Sequence, residues 1–174
     1  TLMKMRWQPS IKIIPHYESH PLYIDALVNS LNKKIKEINW KPDLIVASYH
    51  GIPKKYFDKG DPYHCYCHKT TRLISEKFSS IKIKTTFQSR FGPQEWLQPY
   101  TDKTLENLPK EGVKNVLTIC PGFASDCVET LEEIQIQAKE SFLNSGGENF
   151  DMVPCLNDND DHILLLKSLI ERNI

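Results

Sequence analysis

A histidine that follows an apolar run is the first residue here with a use in chemistry. His50 stands in Ser48-Tyr49-His50-Gly51-Ile52-Pro53, directly after Asp43-Leu44-Ile45-Val46-Ala47. That run is short, apolar and partly β-branched, the pattern of a buried strand. Gly51 and Pro53 stop it and turn the chain. His50 is therefore expected at the carboxyl end of a central strand, where open α/β sheets bind ligands. An imidazole there can accept a proton near neutral pH or ligate a metal. The plainer alternative is a loop histidine that bonds only locally.

A second candidate site is Pro121-Gly122-Phe123-Ala124-Ser125-Asp126-Cys127, where a strand hands over to a helix. Asp126 and Glu129 have capping-box spacing, and both acids suit a helix N-terminus. Val128, Leu131, Ile134 and Ala138 form the expected packed stripe. Glu129 and Glu133 are four apart and share a face beside it. Two carboxylates at a cleft mouth can pass a hard divalent cation inward or take up protons; most helical glutamates are simply solvated. The loop from Gln88 to Tyr100 is long for a strand-to-helix connection, and long loops in compact domains are often functional. Its Phe91, Trp96 and Tyr100 offer flat apolar faces and its Arg90 an anion clamp, which suits an aromatic, anionic ligand. The alternative is a loop pinned to the core by its own Trp96. Cys65 and Cys67, flanked by His64 and His68, resemble a metal motif. Residues two apart on a helix point away from each other, so small buried or half-buried thiols are preferred.

These residues need a scaffold, and the pattern supplies one. Ile11–Pro15 reads as a first strand, and Pro21 opens a helix with Leu22, Tyr23, Ile24, Leu27, Val28, Leu31 and Ile35 on one broad face. The strand before His50 follows, then a helix from about Asp61 to Phe78. Ile81–Phe87 alternates as the next strand. A short helix runs from Asp102 to about Leu108, and Val113–Cys120 is a fourth strand. Ser125 or Asp126 caps a helix reaching about Leu143. Phe150–Pro154 is a last strand and Ile163–Ile170 a closing helix. Alternating strands and helices imply parallel pairing and right-handed crossovers. The expected fold is α/β, a three-layer α/β/α sandwich on a mostly parallel four- to five-stranded sheet.

Composition narrows the function. The 174 residues suit one domain, residues 11–174, with residues 1–10 as a linker or arm. Hydrophobic residues make up 40%, enough for a real core. Lys plus Arg and Asp plus Glu are 22 each, so a nucleic-acid partner has no electrostatic support. Thr1 to Trp7 carries no apolar stretch of signal-peptide type. The five cysteines are odd in number and lack disulfide spacing, which points to a reducing cytoplasm. A chain that starts on Thr1 is expected to be a fragment or a processed form.

Four motifs in order resemble ferrochelatase: Ser48 to Pro53, Gly60-Asp61-Pro62-Tyr63 through Thr71, Gly92-Pro93-Gln94-Glu95-Trp96-Leu97, and Pro121 to Leu131. That family inserts Fe2+ into a porphyrin, most often protoporphyrin IX, at or near the last step of haem synthesis. Its fold holds the tetrapyrrole between two similar α/β/α domains, and this sequence resembles the C-terminal, chelatase-like (Rossmann-like) one. The resemblance implies a missing N-terminal domain as partner, with porphyrin and ferrous iron as substrates, and it is compatible with peripheral membrane contact. By motif, His50 matches the active-site histidine and Glu129 its partner carboxylate, as catalytic and metal-facing groups; Glu133 matches a further acid on that helix. Ser48, Tyr49, Arg90, Trp96, Pro121 and Phe123 are the residues expected to bind substrate. Gln137 replaces the next acid of the row. Cys127 sits where some relatives have a second histidine. Some members carry a [2Fe-2S] cluster on four cysteines; none is expected here, because no further cysteine pair follows near the C-terminus. Both roles of His50, proton acceptor and metal ligand, stay open. So do two other functions, a cobalt or other tetrapyrrole chelatase and a non-catalytic metal- or porphyrin-binding module.

Overall fold

Alternation along one strand organises the molecule. The computed structural model describes residues 2–173. Strand β1 (Leu44–His50) sends Ile45, Ala47 and Tyr49 to one face of the sheet. Its Leu44 and Val46 go to the other, because successive side chains of a strand point to opposite sides. By the same alternation Ser48 and His50 belong with Leu44 and Val46. The other strands are β2 (Ile83–Gln88), β3 (Asn115–Ile119) and β4 (Asn149–Met152). All pair in parallel in the order β2-β1-β3-β4. The register puts His50 opposite Gln88 and Ala47 opposite Ile119.

Helices cover both faces, as parallel sheets require. The first face packs on α1 (Pro21–Glu37), α3 (Tyr63–Lys77) and α7 (Asp160–Glu171) through Leu27, Leu31, Ile74 and Leu165. The short α2 (Lys54–Asp58) precedes α3. The second face packs on α4 (Thr101–Asn107) and on an interrupted helix. That helix is α5 (Val128–Leu131), a π-helical segment over Glu133–Ala138, and α6 (Lys139–Asn144). No helix among the described residues is long and apolar enough to cross a membrane.

Three expectations need correction. Ile11–Pro15 forms no strand: Ile11 and Ile13 are 60% and 86% exposed. A strand needs a ladder neighbour, and this segment instead runs outside the sheet to α3, where Glu18 takes a hydrogen bond from Thr70 and pairs with Lys69. Among the described residues the sheet therefore has four strands, the smaller of the two numbers expected. The stripe on the interrupted helix is also different. Val128 and Leu131 are 73% and 46% exposed, while Thr130, Ile134, Ala138 and Phe142 are buried. Those buried positions recur every four residues. In a straight α-helix such a stripe rotates by about 40° per step. The wider π turn, marked by the Gln137 N–H bond to the Glu132 carbonyl, keeps it on the core. Finally, the helix starts at Val128 with Cys127 as N-cap, and the reciprocal partner is Thr130, not the Asp126–Glu129 pair.

Candidate active site at the carboxyl edge of the sheet

His50 closes β1 and is half-buried. Its Nδ1 lies 2.7 Å from the Gly51 carbonyl oxygen. A carbonyl only accepts, so Nδ1 carries the proton and Nε2 is left as the basic nitrogen. The peptide between His50 and Gly51 is held on both sides. The Gly51 N–H donates to the Gln88 carbonyl at 2.7 Å, and the Tyr63 hydroxyl donates to the His50 carbonyl at 2.9 Å. On that second side β3 has already ended, so a phenol takes the place of the missing ladder donor. Burial raises the Tyr63 hydroxyl well above the usual tyrosine range, which keeps it a donor. Gly51 is required here, since a Cβ would stand 2.8 Å from the Gln88 carbonyl oxygen.

Glu129 rises from the first turn of α5 beside His50. Its own backbone N–H, then the Cys127 thiol, hold its carboxyl below the ordinary glutamate value, with the neighbouring His50 adding to the effect. The Phe123 ring lies 6.2 Å from the His50 ring, centroid to centroid. His50, Glu129 and Phe123 thus share one rim. Among the described residues no three histidine, cysteine, aspartate or glutamate side chains are grouped to hold a metal ion, so this rim offers a base and a carboxylate.

Glu133 is differently placed. Its carboxylate accepts from the Ser89 N–H at 2.7 Å and from the Ser89 hydroxyl. It lines a cleft of about 310 Å³ with Gln88, Arg90, Asp102 and Gln137. Arg90 is paired with Asp102 and lies 4.0 Å from the centroid of the Tyr100 ring, so its charge already has a partner. Four expected contact residues turn out to be internal. Ser48 is fully buried and bonded to Gln88 and Thr101. Tyr49 is turned to the opposite face, where its hydroxyl meets Thr71. Trp96 is 8% exposed and donates to the Phe91 carbonyl, which pins the loop. Pro121 is buried and takes a hydrogen bond from Tyr23. These four support the rim; their own surfaces do not form it.

Sequence reasoning missed Gln88 and Tyr63 as supports. Gln88 is 3% exposed. Its Oε1 accepts from Ser48 at 2.6 Å, and its Nε2 donates to the Glu129 carbonyl at 2.5 Å. It thereby links the end of β1 to the helix that carries Glu129. A polar residue ending an apolar strand was the available signal.

Comparison with known proteins decides the family. The ferrochelatase family model matches residues 1–174. The chain belongs to the ferrochelatase family. It is 55% identical to a ferrochelatase of Rhizobium meliloti (strain 1021) over 99% of this chain and 52% of that one. It is 54% identical to a ferrochelatase of Allorhizobium ampelinum, over 99% of this chain and 51% of the relative. A ferrochelatase of Brucella anthropi is 49% identical over 99% and 50% of the two chains. The chain therefore spans about half the length of the curated relatives it matches. A solved multi-domain protein of Deinococcus radiodurans, described as structurally similar to chelatases, superposes with a TM-score of 0.57. It shares 11% identity over 87% of this chain and 29% of its own, a likeness of fold.

Proposed function

We propose that the whole protein of which this sequence is part inserts Fe2+ into a porphyrin, protoporphyrin IX, to make haem. This domain supplies the metal- and proton-handling wall. In that reaction two pyrrole N–H bonds break, two Fe–N bonds replace them together with two to the remaining nitrogens, and two protons leave. The observation that carries the reading is the tautomer of His50: with Nδ1–H bound to the Gly51 carbonyl, Nε2 is free to take a pyrrole proton. Glu129, held ionised beside it, stabilises the imidazolium that forms and offers oxygen to a hard cation. Phe123 gives the macrocycle an apolar edge. Glu133, anchored to Ser89, serves as a weaker, outer carboxylate. The remainder of the protein, as long again as this chain, closes the other side. The five cysteines are free, which supports a cytoplasmic, reducing setting.

The test uses the full-length protein under anaerobic Fe2+. His50→Ala and Glu129→Gln are each expected to cut turnover at least about a hundredfold, the scale of losing a general base, with an unchanged melting curve. Near-normal insertion by either variant removes that residue from the mechanism.

A further inference from the structure

Two histidines beside the cysteine motif meet on one face of a helix. His64 and His68 are four apart on α3, and their ring centroids lie 4.4 Å apart at a tilt of 46°. The nearby Tyr63, Tyr66 and Lys69 are engaged in hydrogen bonds. Among the described residues no hydrogen bond reaches either of these two imidazoles. We propose that His64 and His68 chelate a divalent transition-metal cation at a site separate from the His50–Glu129 rim.

The spacing fits. An imidazole nitrogen binds such an ion at about 2.0–2.1 Å, so the ring centre lies about 3.2 Å from the metal. Two imidazoles in cis positions, about 90° apart, then have centres about 4.5 Å apart. The observed separation is 4.4 Å. The site is also preorganised on one side. The His64 ring is stacked on Phe87 at 5.6 Å and 21°, and lies 4.9 Å from Phe57. The outer side of the His64 ring opens onto a cleft of about 250 Å³ that Glu95 and Lys54 also line, room for water ligands beside that ring. Separation from the rim follows from the sheet: Phe87 packs with the α1, α3 and α7 face, whereas Gln88, next along β2, reaches Glu129 and Glu133. Nitrogen ligands of this kind favour Ni2+ and Cu2+ over Co2+ and Fe2+. The same two rings without a metal would simply cover Phe87.

The experiment is calorimetric titration of the full-length protein with Ni2+, in a His50→Ala background that silences the rim. One equivalent is expected to weaken at least about tenfold on adding His68→Ala. It is expected to weaken likewise on adding His64→Phe, which keeps a ring on Phe87 and so separates ligand loss from misfolding. Cys65→Ser is expected to leave it unchanged, and Co2+ is expected to bind the site more weakly than Ni2+. Equal stoichiometry and affinity with and without the two histidines overturns the proposal. So does loss of the equivalent in Cys65→Ser alone, which would assign the ion to the thiol. The outcome is independent of iron insertion, because it reads binding and not turnover.

Discussion

His50 owes its orientation to one peptide unit. The Gly51 N–H is bound to Gln88 and the His50 carbonyl to Tyr63, so the imidazole is carried on a fixed platform. Tyr63→Phe keeps the ring but leaves a carbonyl without its donor, a loss of about 1–3 kcal/mol. If Tyr63 positions His50, the full-length variant should lose kcat with little change in KM, and its pH–rate profile should shift. A fall in melting temperature with unchanged kcat would make it a structural tyrosine only. Gly51→Ala forces the backbone away from the Gln88 oxygen, 2.8 Å from the new Cβ, and should reduce both stability and turnover. Asp126 carries a pH effect. Burial raises its carboxyl, but the Asn157 amide, the Cys155 N–H and the Thr130 hydroxyl outweigh burial and hold it below 3.8. A lowered acid stabilises the fold above its unfolded value and loses that contribution as pH falls through the folded one. Asp126→Asn should therefore lower stability at neutral pH and flatten the stability curve below about pH 4, measured by urea unfolding across pH. The nearness of His50, Glu129 and Phe123 was legible in the sequence because motif and strand end coincide. The clamp was not, because Gln88 meets His50 only through the parallel register and Tyr63 only through the packing of α3 on the sheet.

At the scale of elements, apolar runs were reliable and periodicity was not. Leu44–Val46 and Val116–Ile119 are buried strands because they are covered on both faces. Ile11–Ile14 has the same composition but no ladder partner, and composition alone does not provide one. On the helix after Pro121, a 3.6-residue template selects Val128 and Leu131, which are exposed. The buried set, Thr130, Ile134, Ala138 and Phe142, has a four-residue spacing that only the widened turn accommodates. Substitution separates the two patterns. Ile134→Ala should cost about 2–5 kcal/mol by leaving a cavity, and Leu131→Ala should stay within about 0.5 kcal/mol, both measured by chemical unfolding of the separate 174-residue chain. Similar losses at both positions would mean that the helix buries a broader face. The π segment also lets Glu133 reach back to Ser89, so the same distortion that serves packing ties the helix of Glu129 to β2.

At the scale of the molecule, this chain spans about half of the relatives it matches, and its chemistry stands on an open rim. His50 and Glu129 are only half-buried. Val128, 73% exposed, and Leu131, 46% exposed, flank Glu129 on the same short helix. Exposed apolar groups around these two residues suit a surface that something else covers. Binding pockets for flat ligands form preferentially at domain interfaces, where both faces are buried and water is excluded. On the proposed function, one wall leaves half of the macrocycle's surface in solvent and its pyrrole nitrogens not held against His50. A displacement of about 1 Å from the productive geometry costs on the order of a hundredfold in rate. The two core clusters, by contrast, close within the chain, one on each face of the sheet. The separate 174-residue chain should therefore fold, with a cooperative thermal transition, bind porphyrin weakly, and insert Fe2+ at least about a hundredfold more slowly than the full-length protein. Parallel anaerobic assays of the two, with binding followed by porphyrin fluorescence, measure this. A comparable rate in the separate chain would mean that one wall suffices for catalysis and that the rest of the protein has some other task.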